Sequence, residues 1–285
     1  MAQTREEKEA RRIWEEHCKR VQALTALSVT AQRETKIEKE KRIKKLLADY
    51  PRFCEYYFPH YMRKVDPETG EDKGLVSNAK FHNEAHRDIL KNKTLKAVFM
   101  WPRGHAKSTH LGIFIPVNLM MREVQEIRCG IVVNKSEDGA KTLLGDLQAE
   151  LEYNQRLIAD FGTQKNAGDW QRGEFSTTRG TKWFAVGRGQ SPRGLKKQAQ
   201  RPDYIVIDDL DDDEMSRNEE RIRECTKWVK QALFGALDVG RGRFLMVGNG
   251  FAKNMVLRNI AAIKNVKVSV VYAVNKNGNP TWAEK

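Results

Sequence analysis

LKAVFMWPRGHAKSTHLG, residues 95–112, is the stretch of sequence from which the fold of this chain can be inferred. It begins with a short apolar run, which has the length and composition of a strand buried on both faces of a parallel sheet. Pro102 and Gly104 end this run, and Lys107 and Ser108 lead into a predicted helix. A strand, a tight loop and a helix that begins with Lys-Ser are the layout of a phosphate-binding loop.

A phosphate-binding loop uses each of these groups for a different contact. Backbone N–H groups at the start of the helix bind phosphate oxygens. The ammonium group of Lys107 reaches the β- and γ-phosphates, and the hydroxyl of Ser108 ligates Mg²⁺. The candidate nucleotide-binding residues are therefore Arg103, Gly104, His105, Ala106, Lys107, Ser108 and Thr109.

The loop departs from the general pattern G-x-x-x-x-G-K-[ST] at both glycines. Trp101 stands in place of the first glycine, and Ala106 stands in place of the second. A buried strand followed by an amphipathic helix with one exposed lysine is an alternative interpretation of the same residues. A nucleotide site therefore needs support from a second feature.

The second feature is DYIVIDDLDDDE, residues 203–214, in which another buried-strand run ends in Asp208 and Asp209. Carboxylates at the carboxyl end of a parallel strand lie where open α/β sheets bind ligands. Asp208 is predicted to hold Mg²⁺ together with Ser108, and Asp209 to orient or deprotonate the attacking water. An isolated acidic cluster is more often a solvated turn, but this one complements the Lys-Ser loop.

Together the two stretches resemble the ATPase domain of the terminase large subunit, the DNA-packaging motor of tailed bacteriophages. That family uses a variant loop with an early arginine, which PRGHAKST matches, and FLMVGNG (residues 244–250) resembles its third motif. The resemblance runs from about Phe81 to Phe251. It implies an additional-strand P-loop ATPase that uses ATP and Mg²⁺ to move double-stranded viral DNA into a procapsid.

The resemblance also assigns roles to further residues. Arg103 would sense the γ-phosphate or stabilise charge in cis, and Asn249 would couple the site to the moving parts. Many family members carry glutamate directly after the metal-binding aspartate, where this chain has the shorter Asp209. Either Asp209 acts as the catalytic carboxylate, which we favour, or Glu214 reaches in from the following turn.

A basic, glycine-bearing loop, residues 187–203, precedes the acidic strand. The family commonly has an arginine-glycine pair here, which Arg193-Gly194 resembles, so Arg193 is a candidate for acting on the ATP of a neighbouring subunit. Contact with the DNA backbone and a plain solvated loop are the alternatives. A subunit that relies on a neighbour's arginine is expected to be a slow ATPase when isolated.

Composition sets limits on partners and compartment. The formal net charge of +13 and the pI of about 9.5 favour a polyanionic partner. No window approaches a transmembrane span of about 20 apolar residues, and the N-terminus has no secretory signal. The four cysteines form no C-x-x-C pair, which predicts free thiols, no structural zinc and a reducing cytosol.

The resemblance implies the remaining partners and the location. They are double-stranded DNA, further copies of this chain in a ring (in the family, a pentamer on the portal), the portal protein and the small terminase subunit. No membrane is involved. The cytoplasm of the infected bacterial host is the expected compartment.

Three regions are expected along the chain: a helical region over 1–65, the ATPase domain over 66–274, and a linker over 275–285 towards a missing nuclease domain. No nuclease activity is therefore expected. The fold class is α/β, a mostly parallel sheet flanked by helices with an N-terminal helical attachment. Local expectations are a helix over 81–90, a strand over 127–133 between the lysine loop and the acidic strand, a hairpin over 175–186, a helix over 216–237 and a last strand over 266–274.

Two aromatic segments have alternative interpretations. The segment 51–61 is expected to form a hydrophobic cluster, with stacking on bases as the alternative. Phe81 and His82 are candidates for contacting adenine, with packing at a helix start as the alternative.

Three other functions remain open. A helicase-like translocase is one, although no second set of helicase motifs follows residue 250. A nucleic-acid-binding assembly module that does not hydrolyse ATP is another, since Trp101 and Ala106 replace the glycines. A metal-dependent nuclease using the acids of 208–214 is the third, but it leaves Lys107 and Ser108 unexplained.

Overall fold

A computed structural model of the protein describes residues 5–26, 34–65, 69–192 and 200–282. The chain forms two compact units. The first unit comprises Met1–Ser77 and Asp146–Lys165, and the second comprises Asn78–Gly145 and Asn166–Lys285. The three-region division expected from the sequence stays a prediction.

Three helices come first in the described chain, and strands interspersed with helices follow them. The strands are β1 (Arg63–Val65), β2 (Asp72–Leu75), β3 (Lys96–Met100), β4 (Cys129–Asn134), β5 (Lys165–Gln171), β6 (Glu174–Thr177), β7 (Lys182–Gly187), β8 (Tyr204–Asp208), β9 (Arg243–Gly248) and β10 (Lys267–Val270). The helices are α1 (Arg5–Ala26), α2 (Lys36–Ala48), α3 (Tyr50–Tyr57), α4 (Lys80–Lys91), α5 (Lys107–Thr109), α6 (Ile115–Met120), α7 (Glu137–Tyr153), α8 (Gln155–Phe161), α9 (Asp213–Ser216), α10 (Glu219–Trp228), α11 (Phe234–Ala236) and α12 (Val256–Ala261). π-helical turns at His110–Phe114 and Val229–Leu233 continue α5 and α10.

The second unit is built on an eight-stranded sheet with the order β10-β3-β9-β8-β4-β7-β6-β5. Neighbouring strands from β10 to β7 are parallel, and β6 is antiparallel to β7. The predicted fold class, α/β with a mostly parallel sheet flanked by helices, is therefore confirmed.

In the sheet, β9 lies between β3 and β8. The strand expected over 127–133 is present as β4, but it pairs with the other side of β8 and with β7. Chain order and sheet order differ because parallel neighbours are joined by crossover connections. As a result the carboxyl ends of β3, β9 and β8 meet at one edge, where Met100 pairs with Gly248 and Asp208 pairs with Val247.

The central strands are buried on both faces. Every residue of β4, β8 and β9 is buried, as expected of parallel strands covered by helices. The core on one face includes Ile222 of α10 and Val256, Leu257 and Ile260 of α12. α10 follows β8 and α12 follows β9. The segments that leave the carboxyl edge of the sheet therefore also supply side chains to the core.

The hairpin predicted over 175–186 is present, since β6 and β7 are antiparallel neighbours. The last strand is shorter than the predicted 266–274 and ends at Val270. The amide of Val271 still donates to the carbonyl of Met100 at 3.0 Å. Beyond that point β3 gives way to the loop, so the edge strand has no further neighbour with which to pair.

The N-terminal residues of the first unit are helical, as predicted. α2 begins at a capping box, in which the Thr35 hydroxyl accepts from the Glu38 amide and the Glu38 carboxylate accepts from the Thr35 amide. No residue of α2 is buried. Most of its charged side chains are exposed, as expected of a solvated helix, but Arg42 is half-buried and its guanidinium donates to the carboxylate of Asp160 at 2.7 Å.

The aromatic segment at 51–61 forms a buried cluster within the first unit. Phe53, Tyr57 and Phe58 are fully buried, and the ring centroid of Phe53 lies 4.9 Å from Tyr57 and 5.9 Å from Phe58. The Tyr57 hydroxyl donates to Asp160 at 2.8 Å. The side chains are occupied by packing, which is the first of the two interpretations.

In the described part of the chain, no helix combines the length and apolar character needed to cross a membrane. All four cysteines are free, as predicted, and all four are buried.

Candidate nucleotide-binding site

The loop after β3 is held in place at its first residue, and two of its later residues have a positive φ angle. Trp101 is fully buried, and its indole Nε1 donates to the hydroxyl of Ser269 on β10 at 3.1 Å. Gly104 (φ +78°) and Ala106 (φ +49°) both have left-handed backbone conformations. Such conformations favour glycine, so the backbone at position 106 is of the kind that suits a glycine, although the chain carries alanine there.

Two side chains of α5, Lys107 and Ser108, act on the carboxylate of Asp208 at the end of β8. Lys107 is only 8% exposed. The hydroxyl of Ser108 donates to the carboxylate of Asp208, and the positive charge of Lys107 acts on the same carboxylate. Thr109 is half-buried in the same short helix. Two segments remote in the sequence therefore bring an ammonium group, a hydroxyl and a carboxylate together.

The carboxylate of Asp208 is in an unfavourable environment for its charge. It is 5% exposed, and the loss of hydration raises its pKa to about 6 against the lowering effects of Ser108 and Lys107. Its Oδ1 has no hydrogen-bond partner among the described residues. A buried carboxylate oxygen without a partner is destabilising, so a cation bound at this oxygen would fit the site.

Asn134, at the end of β4, fixes the end of β8. Its Nδ2 donates to the carbonyl of Asp208 at 2.8 Å, and its Oδ1 accepts from the Ser136 amide at 3.3 Å. A Cβ on Gly139 would collide with the Asn134 amide group, so the glycine permits this arrangement. Sequence reasoning missed Asn134, although a polar residue at the carboxyl end of a buried strand was a signal for it.

The two candidate catalytic carboxylates differ in their surroundings. Asp209 is exposed, follows Asp208 directly and has a left-handed backbone (φ +46°). Glu214 lies in α9, where it is exposed and accepts from Arg221 at 2.6 Å. Asp209 is therefore adjacent to the metal candidate, while Glu214 is engaged in a surface ion pair.

The remaining predicted residues lie at the same edge of the sheet or outside the described chain. Arg103 is exposed in the loop, and its carbonyl accepts from Nδ1 of the half-buried His105 at 3.2 Å. Asn249 is half-buried and follows β9 directly. Arg193 lies outside the described residues. The roles of all of these residues stay predictions.

Phe81 and His82 pack against the loop that follows β3. The Nε2–H of His82 donates to the carbonyl of His105 at 3.0 Å, and its ring stacks on His110 at 3.9 Å. The ring of Phe81 lies 4.8 Å from that of Trp101. Burial holds the pKa of His110 well below its usual value. These residues support the loop, which is the packing role, and an adenine contact stays a prediction.

Arg188, from the basic loop, binds within its own chain. Its guanidinium donates to the carbonyl of Leu210 at 3.1 Å and to the carboxylate of Asp212 at 3.3 Å. It thus holds the segment that follows the acidic strand. This contact was not foreseen from the sequence, where Arg188 was one of several similar basic residues.

The fold defines an α/β protein with a mostly parallel sheet, and the site lies at the carboxyl edge of that sheet. No family model matches the chain, and no curated protein matches it. Among solved structures, the large terminase of bacteriophage HK97 is similar to it, with a TM-score of 0.47 and 11% sequence identity. The match covers 82% of this chain and 45% of that chain, so this chain spans less than half the length of that terminase.

Proposed function

We propose that the protein is a Mg²⁺-dependent ATPase that drives the packaging of double-stranded viral DNA into a procapsid. The observation that carries the ATPase proposal is the meeting of Lys107 and Ser108 with the buried, incompletely bonded carboxylate of Asp208. The resemblance of three sequence motifs to the terminase large subunit supports the packaging role. The net charge of +13 supports a polyanionic partner.

In this proposal each residue of the site has one task. Lys107 binds the β- and γ-phosphates, and Ser108 with Asp208 would hold Mg²⁺. Bound Mg²⁺ would neutralise charge on the phosphate oxygens. The described residues contain no group of three or more His, Cys, Asp or Glu able to hold a metal. Two protein ligands suit Mg²⁺, which usually keeps several waters and substrate oxygens.

The neighbouring residues complete the mechanism. Asp209 orients the attacking water and accepts its proton, with Glu214 as the alternative carboxylate. Arg103, exposed in the loop, contacts the γ-phosphate, and Arg193 acts on the ATP of a neighbouring subunit. Asn249, at the end of β9, senses the state of the site and passes it to the moving parts.

The proposal includes an assembly. Copies of the chain form a ring on the portal protein, the small terminase subunit delivers the DNA, and the work is done in the cytoplasm of the infected bacterium. These partners follow from the motif resemblance.

ATP hydrolysis by purified protein, with and without Mg²⁺ and DNA, tests the proposal. We expect Mg²⁺-dependent hydrolysis that falls by about 10²-fold or more in Lys107→Ala, because one preorganised charge on the phosphates is lost. Lys91→Ala, which removes an exposed lysine on α4, serves as the control and should keep the native rate. Equal rates in the native protein and in Lys107→Ala would contradict the proposal.

One observation favours a second function, a nucleic-acid-binding assembly module without hydrolysis. Trp101 and Ala106 replace the two glycines of the loop. If the native protein binds DNA in a fluorescence anisotropy titration but hydrolyses no ATP at any concentration, the module is the better description.

A further inference from the structure

The carboxylate of Asp211, in the segment that follows β8, caps a helix in a different part of the chain. Its Oδ1 accepts from the amide of Val256 at 2.8 Å, and its Oδ2 accepts from the amide of Leu257 at 3.0 Å. These amides belong to the first turn of α12, where unpaired N–H groups and the helix dipole favour a negative charge. Both oxygens of the Asp211 side chain therefore bind residues 208–212, which we call the acidic segment, to α12.

The same helix is tied to the loop that carries Asn249. Leu257 packs on Gly248, the last residue of β9, so closely that a Cβ on the glycine would lie 3.1 Å from Leu257 Cδ2. The guanidinium of Arg258 donates to the carbonyl of Ala252 at 2.6 Å and to that of Gly250 at 3.1 Å. The start of α12 thus contacts the strand end before Asn249 and the loop after it.

The acidic segment is also held from its other side. Arg188 donates to the carbonyl of Leu210 and to the carboxylate of Asp212, and the side chain of Leu210 is buried. With Asp211 bound to α12, little of the backbone from Asp208 to Asp212 is free to adjust alone. A shift of the carboxylates at the site must move α12 or break the cap.

We infer that Asp211 is a positioning residue that couples the carboxylates of Asp208 and Asp209, through α12, to the loop of Asn249. The inference rests on the proposed ATPase function and adds to it the physical link between hydrolysis and the Asn249 loop. Asp211 has no contact to make with the nucleotide in this scheme. Its loss should therefore change turnover and leave nucleotide affinity as it is.

The variant Asp211→Asn tests the link with little change in volume. Its amide oxygen can accept one of the two N–H groups, while its NH₂ group faces the other. We expect kcat to fall about tenfold or more, because a misplacement of about 1 Å can change rates by about 10²-fold. The KM for ATP and the Kd for a fluorescent ATP analogue should stay within about twofold of native. Asp213→Asn, an exposed neighbour with the same charge change, should behave as native.

A second variant keeps the test valid if Asp211→Asn fails to fold. Arg258 is exposed, so Arg258→Gln should fold, and it cuts the other connection, to Gly250 and Ala252. We expect the same signature of lower kcat with unchanged Kd.

A double-mutant cycle decides whether Asp211 acts through the Asn249 loop. In Asn249→Ala the further change Asp211→Asn should have a much smaller effect on kcat than in the native protein. Fully additive effects, a native-like kcat in both Asp211→Asn and Arg258→Gln, or a loss confined to nucleotide affinity would each overturn the inference. If the native protein itself hydrolyses no ATP, both the proposed function and this inference are wrong. That result differs from the three outcomes above, in which the native protein is an active ATPase.

Discussion

The carboxylate of Asp208 lowers the stability of the folded protein, because burial disfavours its charged form. Its pKa rises from 3.8 to about 6 in the folded chain. The unfolded state therefore releases the proton at lower pH, and the penalty is absent below about pH 4 and complete above about pH 6. At about 1.4 kcal/mol per tenfold change in proton affinity, the penalty amounts to about 3 kcal/mol.

Asp208→Asn should therefore stabilise the protein in the absence of divalent ions. We expect the free energy of unfolding to rise by about 2 kcal/mol at pH 8, and the gain to disappear towards pH 4. Urea denaturation in EDTA across this pH range measures it. Asp213→Asn, at an exposed position, is the control and should show no such gain. Loss of stability at pH 8, or an equal gain at both ends of the range, would contradict the argument.

Ala106 has a left-handed backbone (φ +49°), which disfavours any residue with a Cβ by roughly 1–2 kcal/mol. Ala106→Gly should therefore raise the free energy of unfolding by about 0.5–1 kcal/mol, after the higher entropy of glycine in the unfolded chain is included. Ala159→Gly, in an exposed position of α8, should lower it by a similar amount. Thermal unfolding of both variants measures whether the free energy of unfolding rises or falls in each. A less stable Ala106→Gly would be inconsistent with a strained backbone at position 106.

Part of the site was accessible from the sequence and part was not. Lys107, Ser108 and Asp208 were predicted to meet because each follows an apolar run, and the carboxyl ends of parallel strands share one edge. Asn134 and Asp211 were not foreseen. Their roles depend on partners remote in the sequence, Asp208 for the one and α12 for the other, and no local pattern encodes such pairs.

At the level of elements, apolar runs predicted β3 and β8, and a strand was expected over 127–133, where β4 lies. The segment of β9 was noted only because FLMVGNG resembles a motif of a known family. The order of the strands in the sheet could not be predicted, since β9 enters between β3 and β8 only when the crossover connections are known. Local sequence patterns also did not predict where β10 ends. Val268 and Val270 look like the start of a longer strand, but the partner strand β3 ends and the pairing ends with it.

The pairing of β4 with β7 depends on one small residue. Gly130 lies directly opposite Trp183, and the indole ring covers the glycine so closely that a Cβ would overlap it. Gly130→Ala should destabilise the second unit by about 1–3 kcal/mol, because the added methyl group would force the fully buried ring of Trp183 to shift.

The matched test is a second-site change that removes the overlap. Trp183→Leu alone leaves a cavity, but combined with Gly130→Ala it should cost less than the sum of the two single changes. Chemical denaturation of the four proteins in this cycle measures the coupling. If the changes in the free energy of unfolding are strictly additive, the size of residue 130 and the position of the Trp183 ring are independent of each other.

At the scale of the whole molecule, the proposed trans-acting arginine makes turnover depend on assembly. An arginine finger contributes on the order of 10³–10⁵ in rate. ATP turnover per subunit should therefore rise steeply with protein concentration, as measured alongside analytical ultracentrifugation.

The same experiment identifies the arginine. Arg193→Ala should abolish the concentration dependence while leaving nucleotide affinity unchanged, and Arg201→Ala, in the same basic loop, should retain it. Fast turnover that does not vary with concentration would rule out an arginine supplied in trans.

The buried indole of Trp101, bonded to Ser269, has a mechanical consequence for the loop that follows β3. Since this residue is fixed to the sheet, any opening of the loop has to pivot beyond it, at the left-handed positions Gly104 and Ala106. The amplitude of that opening is bounded by the few peptide units between the indole and Lys107. A chain with glycine at position 101 would lack the indole that fixes the first residue of the loop to the sheet, and the movement of its loop would not be limited in this way.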